Sequence, residues 1–163
     1  MELWDAYDRN LNKIENMALI RGKQIPNGVY HIVCDIAVRH TDGTYLIMQR
    51  DYNKHLGGMW ELTAGGSAFQ GETPDDCAKR ELSEETGIVS ENIKQIGKVI
   101  SDEHNTIYFE YLCITDCDKN SVTLQKGETV AYKWLTLEEL KSIKPDELAS
   151  IRIQSFIDEL KNK

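Results

Sequence analysis

Glu81, Glu84 and Glu85 crowd into the run RELSEE near the middle of the chain. At roughly 100° of rotation per residue, a helix through them places all three within an arc of about 100° on one face. Such a face can simply be solvated. Like charges at these spacings, however, cost a helix a few tenths of a kcal/mol per pair, and a divalent cation turns that repulsion into binding. The spacing therefore reads as three carboxylates converging on a metal, and hard oxygen donors suit Mg²⁺ or Mn²⁺. Arg80 can pair with Glu84 one turn on or fold back toward Glu72; either contact would fix the orientation of a carboxylate.

The element that must carry these groups is marked at both ends. Thr73 suits an N-cap and Pro74 the first helical position, where a missing N–H costs nothing. Asp75 and Asp76 complement the positive end of the helix dipole, and Gly87 stops the helix. The whole stretch, Gly66 to Ile88, reads GSAFQGETPDDCAKRELSEETGI.

Gly66, Glu72, Arg80, Glu81, Leu82, Glu84, Glu85, Gly87 and Ile88 fill every fixed position of the Nudix box, G-x5-E-x7-R-E-U-x-E-E-x-G-U, where U is a bulky aliphatic residue. The chain thus resembles the Nudix hydrolases. The resemblance implies an αβα sandwich with a mixed β-sheet, and an activity that cleaves a diphosphate linked to a further moiety. It also implies metal ligation by Glu81, Glu84 and Glu85, with the carbonyl of Gly66 contributing. Glu128, six residues before Trp134, stands where many Nudix hydrolases carry a further acid that binds metal or activates water. The pattern ELWDAYD at Glu2 to Asp8, with Arg21-Gly22, Tyr30-His31, Gln49-Arg50 and Trp60-Glu61, resembles the branch that also contains isopentenyl-diphosphate isomerase. Where many nucleotide-hydrolysing members have LPGG, this chain has LTAGG at Leu62 to Gly66, so their substrates do not transfer directly.

Composition sets the bounds. With 163 residues and 40% hydrophobic content, the chain is expected to form one domain over 1–163. Within it we expect an N-terminal extension over 1–28, the box over 66–88 and C-terminal helices over 136–162. Twenty-seven acidic against 19 basic residues give a net charge of −8, which opposes binding to a nucleic-acid duplex. No apolar run reaches the roughly 20 residues that span a bilayer, and the N-terminus lacks the order of a secretory signal, so no membrane partner and a cytoplasmic location are expected. Cys34, Cys77, Cys113 and Cys117 have no CxxC spacing, which gives little support to a disulfide framework or a zinc site.

Around the helix, the spacing predicts a short strand near Leu3 to Tyr7, then a turn and an irregular segment through Gly28. A strand over Tyr30 to Arg39 puts Ile32, Cys34, Ile36 and Val38 on one face and His31 with Asp35 on the other, as a hydrogen-bonded pair or a substrate contact. The turn Thr41-Asp42-Gly43 returns the chain as a hairpin strand to Arg50. Strands are expected at Trp60 to Thr63, Ile93 to Ile100, Thr106 to Ile114, Val122 to Gln125 and Thr129 to Leu135, with Glu110 facing solvent. Thr136 to Glu139 is a capping box, and a helix starting at Pro145 buries Ile153, Phe156, Ile157 and Leu160.

The chemistry expected is metal-assisted substitution at phosphorus. Glu84 or Glu128 acts as base, Glu85 belongs to the same catalytic set as a metal ligand, Arg80 supports the carboxylates, and Arg50 and Trp60 meet a small-molecule diphosphate, such as a nucleoside diphosphate derivative. Two alternatives stand beside it. Isomerisation of isopentenyl diphosphate would use a cysteine just before the box in the resembled isomerases, and Met59 to Gly66 contains none. A non-catalytic nucleotide sensor would fit lost box carboxylates, and none is lost. The N-terminal strand segment can also contribute to a homodimer.

Overall fold

The structure is a computed structural model that describes residues 1–160; the last two residues of the expected C-terminal helical region lie outside the described residues. The central strand is β3 (His31–His40), whose Ile32, Cys34, Ile36 and Val38 alternate into the core. One edge of β3 runs parallel to β8 (Thr106–Thr115) over its whole length. The other edge is shared. Near its C-terminal end β3 pairs with β4 (Tyr45–Arg50), and nearer its start it pairs with β6 (Ala64–Ser67).

Thr63 makes this fork possible. It takes a left-handed φ of 42°, and its hydroxyl accepts a hydrogen bond from the Val38 N–H (3.0 Å) while donating to the Leu46 carbonyl (2.6 Å). Where the two strands part, this hydroxyl thus pairs one backbone N–H of β3 and one backbone carbonyl of β4. β4 carries β5 (Trp60–Leu62) on one side and β9 (Thr129–Leu135) on the other, while β7 (Ile93–Ser101) closes the far edge against β8. The result is a mixed seven-stranded sheet.

Helices cover both faces. α1 (Pro74–Thr86) packs Cys77, Ala78 and Leu82 against Cys34, Ile36 and Met48. On the opposite face α2 (Leu137–Lys141) and α3 (Ile151–Leu160) set Leu140, Phe156, Ile157 and Leu160 against Ala37, Tyr45, Ile47 and Leu112. This is the αβα arrangement expected, with the Thr136–Glu139 capping box formed in full.

Several local expectations differ from what forms. Lys13–Ile20 is a strand, β2, paired with β1 (Leu3–Tyr7) in a separate two-stranded sheet. Most of β2 is exposed on both faces, so it has no apolar alternation to betray it. Residues 122–125 are not a strand; Val122 is buried as a plug, and the Thr123 N–H caps the Thr86 carbonyl at 2.9 Å. Pro145 opens only a single 3-10 turn, and α3 begins at Ile151. Glu110 is buried rather than solvent-facing, because α3 lies over its strand and brings Arg152 to it. His31 and Asp35 do not bond each other: His31 Nε2 meets the Thr106 hydroxyl at 2.9 Å and stacks on Trp4, while Asp35 pairs with Arg152.

Candidate active site

The local sequence of α1 builds its own scaffold. The Thr73 hydroxyl accepts from the Asp76 N–H at 3.2 Å, and Gly87 ends the helix at φ 73° with its N–H on the Ser83 carbonyl. The face opposite solvent is filled by Cys77, Ala78 and Leu82, which rolls Glu81 and Glu85 toward the glycines of β6. Both are buried, whereas Glu84 is half-exposed. Glu85 Oε2 accepts from the Gly65 N–H at 3.2 Å. A Cβ on residue 66 would stand 2.2 Å from Glu81 Oε1, so only glycine leaves that carboxylate its place.

Burial penalises charge here. It raises the Glu81 carboxyl above its ordinary range even though Arg80 pulls it down. It pushes Glu85 up to about 8, with the like charges of Glu61 and Glu81 adding and the Gly65 N–H opposing. Arg80 is the hub. Its Nε and Nη2 grip Glu72 as a fork at 2.8 and 3.0 Å, Nη1 reaches Glu81 at 2.6 Å and Glu84 at 3.3 Å, and Nη2 also donates to the Ser67 carbonyl. The Phe69 ring lies 3.9 Å from the guanidinium carbon. Both partnerships expected for Arg80 are thus made at once. The three carboxylates do not converge as placed: among the described residues no three acidic, His or Cys side chains gather closely enough to enclose an ion, because Arg80 draws Glu81 and Glu84 to itself.

The donor set nonetheless suits a hard divalent cation. Buried carboxylates stand beside a glycine backbone whose missing Cβ leaves the space at Glu81 open. Glu128 lines the same cleft as Glu81, Glu84, Glu85 and Gly66. Its carboxylate is paired with Lys54 and its carbonyl accepts from the Asp51 N–H at 2.8 Å, so the loop after β4 is tied down over the site. The β1–β2 hairpin adds Trp4 and Arg21 to the cleft wall.

A second cavity, of about 230 Å³, opens on the other side of β6 and shares Gly65, Gly66 and Ser67 with the acidic cleft. Arg50 lines it and donates to Glu61 at 2.7 Å. Burial raises the Glu61 carboxyl, and Arg50 opposes that rise. Trp60 lines neither space: its side chain packs on the second core, and Lys133 lies 4.4 Å from the ring centre. Sequence reasoning missed Lys54, Glu61, Arg21 and Arg152. Of these, only Glu61 and Arg21 belonged to residues already singled out; the other two reach the site across 74 and 117 residues from their partners and carry no local signal.

Comparison with known proteins agrees with this geometry. The family model described as NUDIX domain matches residues 29–157. An uncharacterized Nudix hydrolase of Listeria monocytogenes is 32% identical over 146 residues, covering 88% of this chain and 85% of that one. An 8-oxo-dGTP diphosphatase of Proteus vulgaris is 34% identical over 99 residues, covering 59% of this chain and 80% of that one. A crystal structure of a Deinococcus radiodurans protein superposes with a TM-score of 0.78 at 17% identity, covering 96% of this chain and 98% of that one. The hydrolases of this family generally use divalent metal ions, and no helix among the described residues is long and apolar enough to cross a membrane. By its box, its fold and its relatives, the chain belongs to the Nudix family and is a pyrophosphohydrolase.

Proposed function

We propose that the chain hydrolyses the diphosphate linkage of a nucleoside diphosphate derivative or similar organic diphosphate, with water attacking phosphorus and with Mg²⁺ or Mn²⁺ as the cation. The observation that carries this reading is the pair of buried carboxylates, Glu81 and Glu85, pressed against the backbone of Gly65 and Gly66. Two acids so placed ionise together only at high cost unless a cation joins them. Glu81, Glu84, Glu85, Glu128 and the Gly66 carbonyl would hold it. When bound, the cation neutralises the diphosphate and acidifies a water.

The chain supplies the rest. Arg80 fixes Glu81 and Glu84 in position, which a point charge does less well than its planar fork. Glu84 or Glu128 takes the proton from water. Arg50, whose Nη1 is committed to Glu61, has further N–H groups for a phosphate oxygen. The relative named as an 8-oxo-dGTP diphosphatase supports a nucleotide-like substrate. The unpaired thiols of Cys34, Cys77, Cys113 and Cys117 suit a reducing compartment, and we place the enzyme in the cytoplasm.

The test is a panel of nucleoside diphosphate compounds incubated with Mg²⁺ or Mn²⁺, following phosphate-containing products, with chelator as the control. Turnover that chelator abolishes is expected. No product across a broad panel would sink the reading, and dimethylallyl diphosphate formed from isopentenyl diphosphate would replace it with the isomerase.

A further inference from the structure

Glu128 stands in the turn before β9, and that turn does little to place its side chain. The Glu128 and Thr129 N–H groups both donate to the Gln125 carbonyl at 3.0 Å, and Gly127 takes a φ of 82°. The loop over 51–59 does the holding, from 74 residues away along the chain. Its Lys54 ammonium pairs with the Glu128 carboxylate, and its Asp51 N–H donates to the Glu128 carbonyl at 2.8 Å. Arg80 and Lys54, which pair with the proposed metal ligands, differ in kind. Arg80 is fixed by its fork on Glu72 and by the Ser67 carbonyl, whereas the Lys54 ammonium bonds Glu128 alone among the described residues. A single ammonium on a flexible stem gives up its partner more readily than a planar fork with several partners.

Lys54 also stands where a divalent cation would be repelled. It lines the cleft with Glu81, Glu84, Glu85 and Gly66, and its charge reaches Glu85, whose rise through burial it opposes. Lys54 and Glu128 are both partly shielded from solvent, so an ammonium and a divalent cation on one carboxylate repel each other with reduced screening. The loop that carries Lys54 buries little of itself. Tyr52 and Leu56 are 71% and 41% exposed, and Leu56 takes a left-handed φ of 56°, which few residues of its kind adopt. Apart from the two contacts with Glu128, its bonds are turns within the loop and ties to its own base: the Lys54 N–H meets the Asp51 carbonyl, the Gly57 N–H the Lys54 carbonyl and the Gly58 N–H the Arg50 carbonyl, each at 3.0 Å. Segments so built open at low cost.

We infer that Lys54 is a positioning residue of this site: it holds Glu128 in the cleft and competes with the divalent cation for that carboxylate, so that binding the cation releases the loop over 51–59. The inference rests on the function proposed above, which sets Glu128 among the groups that hold the cation.

Two measurements test it, both without substrate. In the parent, hydrogen exchange at the N–H groups of Asp51, Lys54 and Gly57, read by NMR, should quicken severalfold when Mg²⁺ replaces chelator. Exchange that stays the same or slows overturns the inference. In calorimetric titration with Mn²⁺, Lys54→Met, which keeps an unbranched apolar stem and removes the charge, should bind the ion about fivefold or more tightly than the parent. Loss of any positive charge from the cleft wall gives part of such a gain, and Arg21→Met measures that part, since Arg21 pairs with Glu2 and not with Glu128. In a Glu128→Gln background the competition is gone, and Lys54→Met should gain no more than Arg21→Met does. Equal gains from Lys54→Met in both backgrounds, or a gain in the parent no larger than that of Arg21→Met, overturns the inference. Thermal melts in chelator establish that the variants fold, and the exchange measurement needs none of them. A chain that shows both effects yet hydrolyses no compound defeats the catalytic reading alone; turnover with a loop indifferent to the cation defeats this inference alone.

Discussion

Replacing Gly66 with alanine isolates the contact at the heart of the site. Gly66 is not among the residues with a left-handed φ, so alanine brings no backbone strain there. The new methyl would lie 2.2 Å from Glu81 Oε1, 2.5 Å from its carboxyl carbon and 2.8 Å from Oε2, so the carboxylate must move. Overpacking costs typically 1–3 kcal/mol; because the group displaced is the end of a flexible side chain, we expect about 1–2 kcal/mol. For a domain of this size that lowers Tm by roughly 2–8 °C. Activity should suffer more, by about 10²-fold in kcat/KM, since a misplacement of about 1 Å is enough for such a loss. A double-mutant cycle decides the cause. In a Glu81→Ala background the methyl meets no carboxylate, and the stability cost of Gly66→Ala should fall below about 0.5 kcal/mol. The same cost in both backgrounds would refute the reasoning.

Other perturbations read separate parts of the account. In chelator, burial raises Glu85 from 4.5 to about 8, so its favourable contribution is complete below pH 4.5 and is lost as pH rises toward 8. Urea midpoints should therefore fall across that window by the equivalent of a few kcal/mol, at about 1.4 kcal/mol per unit, and Glu85→Gln should remove much of the fall; a flat parent profile contradicts this. Arg80→Lys loses the fork to Glu72 and should lower kcat/KM at least about tenfold at fixed Mg²⁺; unchanged kinetics would remove Arg80 from its positioning role. Thr136→Ala breaks the capping box of α2, so chemical denaturation should show a loss of about 1 kcal/mol with turnover intact.

The site helix was the most legible part of the chain because its signals are local. Thr73, Pro74 and Gly87 act on their own neighbours, and the box is defined by fixed spacing along one helix. The alternation of Ile32, Cys34, Ile36 and Val38 was legible for the same reason. What stayed hidden depends on distant packing. Nothing near Glu110 tells that α3 will cover it, and the exposed strand β2 carries no apolar period. Lys54 and Glu128 meet across 74 residues, so the pairing of a proposed base with a loop lysine was visible only in three dimensions. The expected convergence of three carboxylates failed because spacing places side chains on a face without saying which cation, here Arg80, collects them.

The central claim is water attack at phosphorus, directed by the carboxylates of α1. Its most direct test is turnover of a nucleoside diphosphate compound in ¹⁸O-labelled water, with Mg²⁺ or Mn²⁺, read by mass spectrometry of the products. The account predicts one ¹⁸O atom in a single phosphate product per cleavage, with Glu85→Gln slowing its appearance by orders of magnitude. Label recovered only in a non-phosphate product, or a rate unchanged in Glu85→Gln at every metal concentration, would contradict it.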